Sequence, residues 1–397
     1  MAVIGPGIVV MLADTDAGSI ITAAQSGAVW GYRLLLLQFI LIPILYIAQE
    51  LTVRLGLVTG CGHGELIKQQ FGKYWAWISV STLMICCVGA IITEFSGLVG
   101  VGALFGVSAP IVMTLVITFL IVITLTGSYH SVERIALIMG LFELVFIVVA
   151  FMAHPSMHEI ADHIMHIPIH NSNYLYLSAA NIGAVIMPWM IFYQQSAVVD
   201  KKLTVQHLKI ARWDTAIGAV ITQLIMAAVL IITAATIGNH SPNTSLNTVQ
   251  QISHALIPYL GSDAGKIIFG LGMIGASMVA AIVVSLTAAW GLGEITGYKR
   301  SLEHHPKEAP WFYLTYIFVL ILGGILVTSH INLVKLSVGV EVMNALVLPI
   351  VLGFLFLLSI KALPEKYKLK GWYAWAVGLI LLVTTLFGVY AGISGIV

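Results

Sequence analysis

The chain has 397 residues, of which 59% are apolar and only 9% charged, with a net charge of +1 and a mean hydropathy of +1.00. A soluble domain carries about 25% charged residues, so lipid rather than water is the main solvent of this polytopic all-α chain. The near-zero net charge says nothing about nucleic acid and no basic patch points to it, so no nucleic-acid partner is expected, and no obligate protein partner is evident.

Runs of about 20 apolar residues predict eleven spans, near 6–26, 34–56, 75–105, 109–127, 135–153, 177–198, 212–237, 264–296, 311–329, 333–360 and 371–396. The third and eighth exceed the thickness of a bilayer and are expected to tilt or to extend into solvent. The first span holds Asp14-Thr15-Asp16-Ala17-Gly18-Ser19 in its middle. A carboxylate at that depth costs roughly 3 kcal/mol or more and marks an ion or substrate site by default. Gly18 and its small neighbours favour an interruption of the helix there. Unwound acidic backbone is tolerated in a membrane only where it lines a cavity or meets other protein. The Asp pair and the missing basic flank argue against a signal peptide.

Glu50 and Arg54 near the end of the second span are spaced i, i+4, the pattern of a surface pair. Glu94 lies in the third span with no basic partner in view, either as a proton acceptor or waypoint for metal or as a neutral, hydrogen-bonded carboxylic acid. Cys61, Cys86 and Cys87 show no CxxC spacing, so neither a disulfide framework nor a zinc site is expected. Glu143 is a further acid inside the fifth span. The loop 154–176 carries His154, His158, His163, His166 and His170 with Glu159 and Asp162. A solvated loop is the simpler reading of it, and metal capture near the mouth the other. A helix would put His158, Asp162 and His166 on one face.

The sixth span carries a second interruption, Gly183-Ala184-Val185-Ile186-Met187-Pro188-Trp189-Met190. Pro188 removes a backbone hydrogen bond and frees the carbonyl of Ala184 four residues back. Breaks five helices apart point to two inverted five-helix repeats around a midplane site, with residues 1–153 and 177–360 as the repeats and 361–397 as a loop and an extra helix. One break offers the carboxylates of Asp14 and Asp16 and the hydroxyl of Ser19. The other offers freed carbonyls and the Met187 thioether. Acidic oxygens facing such a cavity suit a cation. Gln194 and Gln195 follow the second break, either bonding across helices or lining a vestibule. Glu294 lies near a helix end and is expected to reach water. Glu341 on the tenth span is the best remaining candidate for the pathway. Trp30, Tyr32, Trp75, Trp311, Tyr313, Trp372 and Tyr373 read as interfacial anchors.

These residues resemble the Nramp-type divalent metal transporters, which share the leucine-transporter fold. Gly5-Pro6-Gly7 opens the first helix as in that family. Asp16-Ala17-Gly18-Ser19 falls where the family has Asp-Pro-Gly-Asn, and Met187-Pro188-Trp189-Met190 where it has Met-Pro-His-Asn. Arg54-Leu55-Gly56-Leu57-Val58-Thr59-Gly60 is a close match to a further motif. The resemblance implies Asp16, Ser19, the Ala184 carbonyl and Met187 as metal ligands, with Asp14 as an added acid. Soft sulfur favours Mn²⁺, Fe²⁺ or softer ions, while two acids and a short hydroxyl suit Mg²⁺ with retained water.

The departures concern protons. Trp189 stands where the resemblance implies an imidazole, Glu94 is the one acid left of a pair, and the Arg pair expected near Ala309-Pro310-Trp311 is absent.

The expected function is therefore import of a divalent cation by alternating access, with weak or altered proton coupling, no enzymatic activity and no cofactor. An amino acid or amine transporter on the same fold is the alternative, and a channel or an intramembrane enzyme is disfavoured. With the N-terminus in the cytoplasm, 15 of the 18 Lys and Arg lie on cytoplasmic ends and loops, and only Arg33, Lys266 and Lys335 lie outside. That places the C-terminus outside a plasma membrane, expected to be bacterial.

Overall fold

The computed structural model describes residues 6–125, 129–238, 244–255, 257–302, 304–328 and 332–396, so Gly5 of the opening motif lies outside the described residues. The described chain is helical throughout. In order the helices are α1 (Pro6–Asp14), α2 (Ala17–Trp30), α3 (Leu35–Thr59), α4 (His63–Phe71), α5 (Lys73–Leu104), α6 (Ala109–Leu125), α7 (Tyr129–Gly140), α8 (Val145–Met152) and α9 (Met157–Met165). They continue as α10 (Ser172–Val185), α11 (Pro188–Asp200), α12 (Leu208–Thr233), α13 (Val249–His254), α14 (Ile257–Leu260), α15 (Ser262–Thr296), α16 (Pro310–Val327), α17 (Leu333–Lys361) and α18 (Gly371–Ile396).

Each of the eleven expected spans coincides with helix. Among the described residues, eight helical stretches are long and apolar enough to cross a membrane alone. The lower count has three sources. Residues 17–59 are continuous helix through a tight 3₁₀ turn at Gly31–Leu34, and Ala109–Leu125 is short at 17 residues. The stretch Leu137–Met152 is bent by 101° from Met157–Met165. The long third and eighth spans are α5 and α15, of 32 and 35 residues, packed against each other. Around them α10 lies on α17 and α18, and α12 lies on α2 and α3.

Several polar residues sit deeper than their spacing suggested. Arg54 and Glu50 form a buried pair, with Arg54 Nη2 2.5 Å from Glu50 Oε2, and Arg212 Nε reaches Glu50 Oε1 at 2.7 Å. The surface reading is corrected: α12 packs over that face of α3 and supplies a second guanidinium. Tyr32 and Tyr313 are buried rather than interfacial, and Trp30 stacks edge-on against Tyr174. Trp75, Trp311, Trp372 and Tyr373 are exposed, as anchors would be.

Candidate cation site

The first break falls at Thr15–Asp16. Asp16 is extended (φ −67°, ψ 174°) and caps α2, its Oδ1 accepting from the Ser19 N–H at 2.7 Å. A short carboxylate at a helix start satisfies amides that the helix itself leaves unpaired. Gly18, expected to interrupt the helix, is instead part of its first turn. Its missing side chain matters for another reason: a Cβ there would collide with the Glu341 carboxylate and crowd Thr93 Oγ1 at 3.2 Å. The second break falls at Ile186–Met187, where Met187 is extended and Pro188 opens α11. Proline suits the first helical position because its missing N–H would have had no partner.

The two breaks meet. Ser19 Oγ donates to the Ala184 carbonyl at 3.0 Å, the carbonyl that Pro188 frees. Glu94 reaches in from α5, its Oε2 accepting from the Ala17 N–H at 3.1 Å. Glu341 arrives from α17, one oxygen held by Asn344 Nδ2 at 3.0 Å. Gly183 gives α10 room to lie against the Glu341 backbone. Trp189 Nε1 donates to Met187 Sδ at 3.2 Å. Asp14, Asp16, Ser19, Glu94, Ala184, Met187, Trp189 and Glu341 are all closed off from solvent.

The electrostatics of this chamber are incomplete as they stand. Both oxygens of Asp14, Oδ2 of Asp16 and Oε1 of Glu341 are buried without a hydrogen-bond partner. Among the described residues no Lys, Arg or His forms an ion pair with Asp14, Asp16, Glu94 or Glu341. Buried acceptors left unpaired cost roughly 1–3 kcal/mol each, more when charged. A cation bound there would supply what they lack. No three His, Cys, Asp or Glu side chains among the described residues converge as a ready-made cluster, in the chamber or in the His-rich loop. A cation held in the chamber would have to draw on hydroxyl, carbonyl or thioether groups as well. In the loop His166 Nδ1 pairs with Asp162 at 3.3 Å, and His163 Nδ1 accepts from the Tyr32 N–H at 3.1 Å.

Two cavities flank the chamber at opposite ends of the α10–α11 span. One, of about 470 Å³, lies by the start of α10 and is lined by Gln25, Trp30, Asn173, Tyr176, Lys335 and Val338 among others. The other, of about 390 Å³, lies by the end of α11 and includes Ser196, Trp290, Glu294, Arg300 and His304. Glu294, expected to reach water, is buried. Its Oε2 accepts from the Gly64 N–H at 2.7 Å and its Oε1 from Ser196 Oγ at 2.5 Å. Gln194 and Gln195 bond across helices and stay clear of the breaks. Gln194 Nε2 donates to Thr215 at 2.9 Å, and Gln195 joins the Cys61 carbonyl and His63 Nδ1, each at 2.9 Å.

Other partnerships were not legible at all. Thr15 Oγ1 contacts Glu143 from the turn between α7 and α8. Asp214 accepts from the Gly7 N–H at 2.8 Å, tying α1 to α12. Gln38, Asn181 and Ser26 form a buried chain. Amides inside apolar spans were the available signal for the last of these.

His63 carries its own prediction. Burial drives its imidazole down to about 4 against a hydrogen bond to Gln195 that pulls upward. Folding thus favours the neutral ring. The stabilisation is complete above the ordinary value of 6.5 and is lost as the pH falls from there to about 4. Thermal unfolding in detergent is expected to show that decline, and His63→Gln to flatten it. An equal decline in the variant would assign it to other groups.

A family profile described as Natural resistance-associated macrophage protein-like (Nramp) matches residues 7–394. The divalent metal cation transporter MntH of Klebsiella pneumoniae (strain 342) is 27% identical over 296 residues, covering 72% of this chain and 70% of the relative. The structure of a manganese transporter from Eremococcus coleocola, in complex with an aromatic bis-isothiourea substituted compound, superimposes with a TM-score of 0.77. It is 19% identical, over 100% of this chain and 87% of the other. A nucleobase-cation-symport-1 family transporter, closed around bromovinylhydantoin, gives a TM-score of 0.64 at 13% identity, over 99% of this chain and 90% of the other.

Proposed function

Because this chain belongs to the Nramp family, we propose that its two helix breaks form the site at which a divalent metal cation is carried across the membrane. The family consists of membrane transporters of divalent metals, not enzymes, and the relatives are named for divalent metal and manganese transport. The observation that carries the reading is the Ser19–Ala184 hydrogen bond. It brings the two breaks together beside carboxylate oxygens that have no other partner. Asp16, Ser19, the Ala184 carbonyl and Met187 are the proposed ligands, with Asp14 and Glu341 as additional oxygen donors. The ion is of the Mn²⁺ and Fe²⁺ class, or Mg²⁺.

Transport proceeds by alternating access between the two flanking cavities, around two inverted five-helix repeats. The Lys and Arg bias orients the Glu294 cavity toward the cytoplasm. Proton coupling is weak, because Trp189 does not titrate and Glu94 faces a backbone amide rather than a basic side chain. The absence of a bare half-helix N-terminus at the first break, where Asp16 occupies the cap, argues against a substrate carboxylate.

The test is uptake into proteoliposomes of Mn²⁺ and of Mg²⁺, each competing with the other. Entry of either ion, blocked by an excess of itself, supports the reading, and entry of neither would sink it. At fixed voltage an imposed pH gradient is expected to leave uptake unchanged. Acidification of the lumen in step with metal entry would overturn the weak coupling.

A further inference from the structure

We infer that Trp189 sets the chemical hardness of the site by holding the sulfur of Met187. This rests on the reading of the breaks as a metal site and deepens it. Three observations support it. The indole Nε1 lies 3.2 Å from Met187 Sδ. An indole N–H is a donor only, so the direction of this bond is fixed. Both side chains are wholly buried, and a buried indole N–H ordinarily has a partner. For Trp189 that partner is the thioether itself.

The consequence is a competition between the N–H and the metal for the same sulfur. A lone pair engaged by a donor is a poorer ligand. The sulfur keeps a second lone pair, but turning it toward the metal would lengthen or break the indole bond, which is a penalty. The carboxylate oxygens face no such competition, since both oxygens of Asp14, Asp16 Oδ2 and Glu341 Oε1 stand without hydrogen-bond partners. The oxygens therefore dominate, and ions that prefer hard ligands lose little. Ions that depend on sulfur bear the cost of displacing the N–H. Preference for soft metals is thus lower than a Met ligand alone implies. Trp189 acts through Met187 and is a positioning residue for specificity.

Trp189→Phe keeps an aromatic ring and deletes the donor. With Cd²⁺ as a soft probe and Mg²⁺ as a hard one, both are titrated against Mn²⁺ uptake in proteoliposomes. The variant is expected to be inhibited by Cd²⁺ at about tenfold lower concentration, the ratio that corresponds to one unpaired buried donor, with the Mg²⁺ titration unchanged. In a Met187→Leu background the same substitution is expected to leave the Cd²⁺ to Mg²⁺ ratio where it was. A packing role would instead move both ions alike, in both backgrounds. An unchanged ratio in Trp189→Phe, or an equal change with Met187→Leu, would overturn the inference. If Trp189→Phe does not fold, thermal stabilisation of the wild type and of Met187→Leu by each ion decides. A held sulfur predicts that Cd²⁺ loses no more than a few-fold beyond Mg²⁺, and an excess loss well beyond about tenfold, the ratio assigned to the N–H, overturns it. Wild-type protein that takes up neither Mn²⁺ nor Mg²⁺ would bring down the metal reading and this inference together. Uptake with an unaltered ratio removes this inference alone.

Discussion

Asp16→Asn is expected to lose at least about 100-fold in metal affinity, more than substitution of an outer-shell partner ordinarily costs, and to fall to background in uptake while remaining folded. Asp16 does two separable jobs. Its Oδ1 caps α2 through the Ser19 N–H, and its Oδ2 is buried without a partner. Asparagine caps a helix about as well as aspartate, so the start of α2 survives. What disappears is the charge beside Ser19 and the Ala184 carbonyl. Alanine would remove cap and charge together and confound the two. Thermal unfolding and monodisperse elution in detergent check the fold, and metal-dependent stabilisation and uptake check the site. Uptake within a few-fold of wild type would place the ion elsewhere.

The second large effect concerns stability. Glu50→Ala is expected to cost about 3–5 kcal/mol, the range for breaking a buried ion pair from one side. Glu50 and Arg54 have side chains only 4% and 8% exposed, and among the described residues Glu50 is the one carboxylate that Arg54 meets. The Tyr367 carbonyl, at 3.2 Å from Arg54 Nη1, would be left to hold a buried guanidinium alone. Arg212 is 41% exposed, so solvent screens its share of the loss. Denaturation midpoints in detergent measure the effect. A change no larger than that from breaking the exposed Glu365–Lys368 pair would show that water reaches Arg54 after all.

The breaks were legible because each violates what lipid demands. Aspartates and a proline inside apolar runs need a special setting, and Asp14, Asp16 and Pro188 were found from that conflict alone. The first break lies inside the expected stretch, at Thr15–Asp16, but Gly18 does not make it. Gly18 was taken for the interruption, whereas the cap geometry of Asp16 ends one helix and begins the next. Glycine there answers a neighbour on another helix, Glu341, which local sequence cannot show. The same blindness hid the settings of Glu50 and Glu294. Arg212 lies 162 positions from Glu50, and Ser196 lies 98 positions from Glu294. Spacing along one helix reports which residues share a face. It does not report what that face meets.

The bonds at the Glu294 end divide into two sets with different mechanical fates. Lys68 Nζ grips the Ile295 carbonyl at 2.8 Å, Arg300 reaches Glu65 at 2.6 Å, and Gly64 is held by Glu294. These fasten α4 to α15 and its following loop as one rigid piece. The bonds from α11 are the other set: Ser196 to Glu294, and Gln195 to His63 and to the Cys61 carbonyl. Any motion that carries α11 away from that piece also separates the His63–Phe192 and Tyr193–Trp290 ring contacts and breaks these three hydrogen bonds. At about 0.5–1.5 kcal/mol net apiece, they amount to a clutch that slips at a few kcal/mol. That is the scale on which a minor conformer stays populated at about 0.1–10%.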